Sequence, residues 1–434
     1  MTTSSIETAA PVAPQPSGGR FRKTGWSVIW LLTLTIFSAL TVGGLLAPLQ
    51  EAAKADLGLT DLQLGMIIGT ATAVPVAVLS LPIAWMVDHG TRIRLLIGLS
   101  VLWAAGTIGT AFVQDFYSLF AARLVAGIGA GTVFPVVVSI LADVCMPERR
   151  GRSMLLVSIG AWAGAAAAFA LGGALFGYLS AHPGAGLLGL APWRESHLLV
   201  GIGAALLVLP LFLIKEPARH EVEQTSTALG PTLRAFWKRR RLLWIGSVLI
   251  RQYGLGPAEF GTWIGLVILG AGILGSLIGG YTADAGQKLR MRGGILLPAL
   301  IATAVSIPAS LYPVMPTVEG FALVLFVLLV GGTIVNLVNA AAIAVLIPNE
   351  ERATSVAALK IIGTLVAGLV VPPVIAGMTT LLPGPSGLGQ ALAWLGGVTG
   401  VISLIGYWLA MVNAPESVAP ESVRPEPVAL RTSA

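Results

Sequence analysis

Asp88-His89-Gly90-Thr91-Arg92-Ile93-Arg94 ends one long apolar run, and Asp284-Ala285-Gly286-Gln287-Lys288-Leu289-Arg290 ends another, 196 residues later. Both read acid, glycine two residues on, base, base. At the same offset, Gly58-Leu59-Thr60-Asp61-Leu62-Gln63-Leu64-Gly65 matches Gly254-Leu255-Gly256-Pro257-Ala258-Glu259-Phe260-Gly261. The two blocks bracket an apolar span in each case. A further pair, Pro147-Glu148-Arg149-Arg150-Gly151 and Pro348-Asn349-Glu350-Glu351-Arg352-Ala353, lies about 200 residues apart. Recurrence at a fixed offset marks an internal duplication. The chain is read as two related halves, each carrying the unit loop, span, charged turn.

Of the 434 residues, 55% are hydrophobic and 11% charged, and the mean hydropathy is +0.86. Soluble domains carry about 25% charged residues, so this is not one, and the same hydrophobicity excludes disorder of the body. The net charge of +6 does not signal nucleic-acid binding, because the bases lie between apolar runs and not along one stripe. Cys145 is the single cysteine, which leaves no disulfide framework and no cysteine metal site. His89, His182, His197 and His220 are scattered without ligand spacing. Gly127, Gly129 and Gly131, like Gly160 and Gly164, have no strand before them, so they signal helix packing and not a dinucleotide fold. No P-loop occurs, and no carboxylate pair or nucleophile–base set lies inside a span. No cofactor, metal or enzymatic reaction is expected.

A helix needs about 20 apolar residues to cross the hydrocarbon. Such runs occur at 26–49, 64–87, 95–113, 116–144, 153–179, 197–214, 260–282, 294–313, 320–347, 354–382 and 390–412. A twelfth piece, 242–250, provides about 13 Å of helix against a core of about 30 Å. The repeat pairs it with the first span, yet Lys238-Arg239-Arg240-Arg241 precede it, and four adjacent cations are costly in hydrocarbon. The expected fold is all-α: a polytopic membrane protein of two pseudo-symmetric six-helix bundles with a shortened seventh helix. The bundles are 26–214 and 242–412, joined by a cytosolic linker 215–241 and flanked by disordered cytosolic tails 1–25 and 413–434. Basic residues favour the cytoplasmic side. With the N-terminus inside and the short piece crossing, 21 of the 26 Lys and Arg residues are cytoplasmic. Lys54, Arg194 and Arg251 fall outside, and Arg123 and Lys360 fall within spans. The expected setting is the inner (plasma) membrane, multi-pass, with both termini cytoplasmic. Parallel repeats are a known transporter arrangement, with the substrate site between the halves near the midplane.

The pattern resembles the major facilitator superfamily. Ala84-Trp85-Met86-Val87-Asp88-His89-Gly90-Thr91-Arg92-Ile93-Arg94 is similar to its G-x-L-A-D-R-x-G-R-R loop, with Ala84 for the first Gly and His89 for the first Arg. Arg123-Leu124-Val125-Ala126-Gly127-Ile128-Gly129 resembles its fourth-span R-x-x-x-G-x-G. The similarity covers about residues 26–412. Lys54-Ala55-Asp56-Leu57-Gly58-Leu59-Thr60-Asp61, Ser139-Ile140-Leu141-Ala142-Asp143 with Pro147-Glu148-Arg149-Arg150, and Gly254-Leu255-Gly256-Pro257-Ala258-Glu259 look like the Spinster-like branch. That resemblance implies the major facilitator fold and alternating access. Members of the branch are proton-linked, and its animal members are associated with lysolipids and sphingoid lipids. The branch's acidic residues of spans one and four stand here as Val42 and Ala130, so proton coupling does not carry over.

Asp88, Gly90, Arg92 and Arg94, with Asp284, Gly286, Lys288 and Arg290, are expected to form a cytoplasmic gate. Its acids would pair with the bases or with a facing helix terminus and latch the outward-open state. Plain anchoring by positive charge is the alternative. Gly90 and Gly286 suit a tight turn with positive φ. Arg123 is expensive in lipid and should face the cavity, where it binds a carboxylate or phosphate or braces helix carbonyls. Lys360 lines the cavity or snorkels to the interface. Thr333, Asn336 and Asn339 recur at spacings of three and are expected on one stripe, bound to substrate or to neighbouring helices. Thr41 and Thr132 are further cavity candidates, with packing as the alternative. The function expected is secondary active or facilitative transport of a small organic or amphipathic solute, an anion if Arg123 binds it. Its partners are that small-molecule or lipid-like substrate and the bilayer, and the chain acts as a monomer. The alternative is a degenerate, non-transporting sensor or scaffold, because helix seven is short. Topology reporters fused after Gly286 and after Pro316 are expected to read inside and outside respectively; the reverse would mean that the short piece does not cross.

Overall fold

The computed structural model describes residues 25–145, 150–217, 245–288, 291, 293–346, 370–382, 384 and 386–414. α1 (Trp26–Gly44) and α2 (Leu46–Leu57) make the first crossing. They part at Leu45, where Pro48 has no N–H to offer the carbonyl of Gly44. α3 (Asp61–Gly65), a π turn (Met66–Thr70) and α4 (Ala71–His89) follow as one rod. α5 (Arg92–Thr110), α6 (Phe116–Val144), α7 (Arg150–Ala181) and α8 (Pro192–Leu206) complete the N-terminal bundle. The second bundle contains α9 (Ile245–Tyr253), α10 (Pro257–Lys288), α11 (Leu297–Ala309), α12 (Val318–Leu346), α13 (Val371–Leu381) and α14 (Gly387–Val412). Ten stretches are long and apolar enough to cross a membrane, and no strand occurs among the described residues. The fold is the expected all-helical one. α9 is the described part of helix seven and α13 that of the eleventh span. Most of the linker, both tails, Lys360 and Arg290 lie outside the described residues.

The duplication recurs in the backbone. Gly58 ends α2 at φ 63° and Gly254 follows α9 at φ 68°. Their N–H groups reach the carbonyls of Lys54 and Ile250, which also stand 196 residues apart. Such a left-handed cap strains any residue but glycine. Two residues on, the Thr60 N–H donates to Gln63 Oε1 (2.9 Å) and the Gly256 N–H to Glu259 Oε2 (2.6 Å), the backward arm of a capping box. Asp115 caps α6 similarly: the Ser118 hydroxyl and N–H donate to its carboxylate and hold it below the usual carboxylate range.

The charged turns depart from expectation. Gly90 is extended at φ −103°, and Gly286 lies inside α10; neither has the positive φ expected of it. Close approach is what both positions require instead. A Cβ on Gly90 would stand 2.7 Å from Met86 O, and one on Gly286 2.8 Å from Gly294 O. In the second turn the left-handed glycine is Gly293, at φ 62°.

The end bearing Gly58 and Gly254, which the basic residues assign to the outside, is called the outer end. There the bundles share one apolar core. It joins Leu45, Leu49, Leu64 and Phe169 of the first half to Ile245, Leu249, Phe260, Ile264 and Ile375 of the second. Among the described residues, the cores at the opposite end are separate. One holds Ile29, Val87, Leu96 and Ile140 of the first half; others hold Ala283, Ala299 and Val338, and Ile295, Leu296 and Ala342, of the second. The shared core is zipped by small residues of α7 and α10. A Cβ on Gly265 would lie 2.7 Å from Ala166 O, and one on Gly261 would overlap the Phe169 carbonyl. Gly261→Leu is therefore expected to destabilise the protein by at least about 2 kcal/mol through overpacking. Gly98→Ala, where nothing lies within 4 Å, should change stability by less than about 1 kcal/mol. Thermal denaturation in detergent measures both, and equal melting temperatures would refute the zipper.

Candidate transport site

Arg123 lies on the third turn of α6, with only 5% of its surface exposed. Its guanidinium donates to Gly43 O at 2.9 Å and Val42 O at 3.4 Å. These carbonyls belong to the last turn of α1, where the α1–α2 break frees acceptors and the helix dipole is negative. Among the described residues no carboxylate pairs with Arg123. The bracing half of its expected role is thus visible in the geometry, and the anion-binding half is left open. Val42 and Ala130 are buried close by in sequence to these groups.

The other cavity candidates go to different places. Thr41 Oγ1 donates to Phe37 O (2.8 Å) and across to Gly164 O of α7 (3.2 Å). Thr132 Oγ1 donates to Ile128 O within its own helix. Thr333, Asn336 and Asn339 do not act as one stripe. Thr333 is buried against Gly275 of α10 and donates to Leu329 O. The Asn336 amide donates to Gly332 O. Asn339 exchanges hydrogen bonds of 2.6 and 2.9 Å with the Tyr407 hydroxyl of α14. Three residues of helix turn about 300°, so each step of three drifts by roughly 60°. Over two steps that drift carries the row from α10 to α14.

At the charged turn of the first half, Arg92 is 2% exposed. It pairs with Asp143 at the end of α6 and with Glu216 beyond α8 (2.9 Å), and donates to Pro217 O (2.9 Å) and Ser139 O (3.2 Å). Glu216 also accepts the Ile93 N–H at the start of α5. All these contacts stay with the first half and its exit strand. Arg94 is exposed. The side chains of Asp88, Asp284 and Lys288 lie outside what is described.

Sequence reading missed the acidic partners at the outer end. Arg251 of α9 makes a bidentate pair with Asp61 (3.0 and 2.6 Å) and also reaches Glu51 Oε1 (2.8 and 3.1 Å). Lys54 holds Asp61 at 2.6 Å, and the Ser247 hydroxyl donates to Glu51. Arg194 pairs with Asp56 at 2.8 Å and stacks on Trp193 at 4.7 Å. The signal was present: Lys54, Arg194 and Arg251 are the three exceptions to the cytoplasmic bias. Gln50, beside Glu51, is fully buried, and its amide meets no hydrogen-bonding partner among the described residues.

Residues 31–250 match the family model described as Major Facilitator Superfamily. The chain belongs to that superfamily. An MFS-type efflux pump of Mycolicibacterium smegmatis is 27% identical over 89% of this chain and 93% of the pump. A probable sulfoacetate transporter of Cupriavidus necator is 26% identical over 57% of this chain and 63% of that protein. In fold, the chain is similar to a bacterial homologue of the human lysosomal transporter Spinster in an inward-facing, occupied conformation. The TM-score is 0.74 and the identity 20%, covering 90% of this chain and 97% of that one. A D-xylose–proton symporter gives a TM-score of 0.66 at 15% identity, over 91% and 98% of the two chains. This superfamily member is a multi-pass membrane transporter. Arg92→Leu is expected to destabilise it by about 3 kcal/mol, because Asp143 would remain buried without that guanidinium. Asp143→Asn should cost less, since the amide still accepts. A melting temperature unchanged by Arg92→Leu would remove Arg92 as the brace of this turn.

Proposed function

We propose that this transporter moves a small organic or amphipathic solute by alternating access, and that Arg123 receives an anionic group on that solute. The observation that carries the reading is the pattern of cores. Among the described residues the bundles share packing at the outer end and keep separate cores at the other, a geometry that suits a pair rocking about a central site. Arg123 supports the anion. A buried guanidinium held by two carbonyls retains its full charge and presents a planar fork suited to carboxylate, sulfonate or phosphate. The sulfoacetate transporter and a 3-(3-hydroxy-phenyl)propionate transporter of Escherichia coli, 31% identical over 35% of this chain, are relatives whose named solutes are organic anions.

The charged turns at the far end, with Asp88, Gly90, Arg94, Asp284, Gly286, Lys288 and Arg290, serve as the cytoplasmic gate in this reading. Arg92 sets the first of them from within its own bundle. The protein sits in the inner membrane as a monomer, with both termini cytoplasmic. Where the resemblance places coupling carboxylates the chain has Val42 and Ala130, so facilitation or exchange fits it as well as proton symport. Against the non-transporting alternative stands the packing of helix seven: its described part, nine residues long, buries Ile245, Val248 and Leu249 in the shared core.

The test is flux into proteoliposomes with a panel of organic anions, neutral sugars and lysolipids. Arg123→Gln should lower anion flux by at least about tenfold, and Arg123→Lys should retain part of it, since Lys supplies the charge without the fork. Anion flux that Arg123→Gln leaves intact, or flux confined to neutral solutes, would refute the assignment.

A further inference from the structure

The outer end is joined by charge as well as by apolar packing. We propose that Glu51, Asp61, Ser247 and Arg251 form an outer gate, a latch between the bundles that must release before the transporter faces outward. The inference rests on the alternating-access reading and adds the site that holds one of its two states.

Four observations carry it. First, the contacts cross between bundles. Glu51 and Asp61 belong to the first half, Ser247 and Arg251 to the second. The described ion pairs of Arg92 and Arg194 stay within the first half or its exit strand. Second, Glu51 and Ser247 are 196 residues apart, the offset of the duplication. Equivalent positions of two parallel repeats meet only where the axis relating them passes, as in an isologous contact. The latch therefore sits at the axis between the halves. Third, the charges are complementary. On the first-half rim Glu51, Lys54 and Asp61 sum to one negative charge, and Arg251 supplies one positive charge opposite. When the halves part, Asp61 keeps Lys54 on its own side (2.6 Å), whereas Arg251 loses both of its carboxylates. The Glu51, Asp61 and Arg251 side chains are 16–25% exposed, so water screens these pairs only in part. Fourth, the latch gives the short seventh helix a purpose. In α9, Ser247 and Arg251 stand four residues apart on one face, while Ile245, Val248 and Leu249 are buried in the shared core. These nine residues suffice to present the guanidinium at the outer end.

The test reads opening without needing a substrate. In a Cys145→Ser background, Ala47→Cys places a thiol on α2, one turn from Glu51 and on the same face, at a position buried in the closed outer end. Maleimide labelling of the purified protein then reports how often that end opens. Arg251→Ala is expected to speed labelling by at least about tenfold, equivalent to about 1.4 kcal/mol. Glu51→Gln, which keeps the side-chain size, should give a smaller rise. Arg251→Lys, which keeps the charge and loses the fork, should give a smaller rise than Arg251→Ala. Arg194→Ala, whose pair lies within one bundle, should leave the rate unchanged. Parent-like labelling in both Arg251→Ala and Glu51→Gln would overturn the latch. So would an equal rise in Arg194→Ala. Because labelling needs no transported solute, failure of the anion assignment leaves this result standing, and the reverse also holds.

Discussion

The close crossing of α7 and α10 sets what the rest of the molecule can do. In lipid, apolar side chains gain little by leaving their surroundings, so helices associate through dense contact where small residues let backbones approach. Gly173, Gly261 and Gly265 provide that approach, and a Cβ on any of them would strike the opposite backbone. Near the other end of the seam, Trp162 lies flat against Gly272. From Trp162 to Gly177 the seam runs about 22 Å of helix. Beyond Trp162 the cores part into separate halves. In the alternating-access reading proposed above, such a seam acts as the hinge; among the described residues the far ends share no packed core.

The two copies have stayed alike where the backbone demands it and diverged where neighbours differ. Gly58 and Gly254 end their helices in the same left-handed turn, and Gln63 and Glu259 accept from equivalent N–H groups. Those groups are orphaned by any helix end in that position, so the same solution persists. The charged turns share residues without sharing geometry. Gly90 is extended because Thr91 starts α5 at once. Gly286 stays helical because α10 runs on to Lys288 and packs on the Gly294 carbonyl. A motif repeated in sequence thus marks a repeated place in the chain, and the dihedral angles there answer to local packing.

The membrane fold was legible because a spanning backbone must satisfy itself, which forces long apolar helices that composition alone reveals. Burial of Arg123 was legible for a related reason: a cation in the hydrocarbon has nowhere else to go. Partners were not. Arg92 meets Asp143 and Glu216, which lie 51 and 124 residues away, and no spacing rule links them. The row of Thr333, Asn336 and Asn339 meets different neighbours because a period of three approximates a helical face over one step and drifts from it over two. The outer acids were overlooked because positive charges were counted to fix orientation and their counter-charges were not.

That last omission bears on where a solute's charge can rest. Lys54, Arg194 and Arg251 stand against Asp61, Asp56, and Glu51 with Asp61. Three cations meet three carboxylates, so this set of pairs is neutral in itself. The same accounting sets Arg123 apart. Arg92, Arg194 and Arg251, the other buried or half-buried arginines described, each have a carboxylate; Arg123 has two carbonyls. Carbonyls orient a guanidinium and satisfy some of its N–H groups, yet they leave its charge uncompensated in a medium where charge is costly. This is the ground for the proposal that an anionic solute is received at Arg123: the paired arginines have already spent their attraction on their own carboxylates.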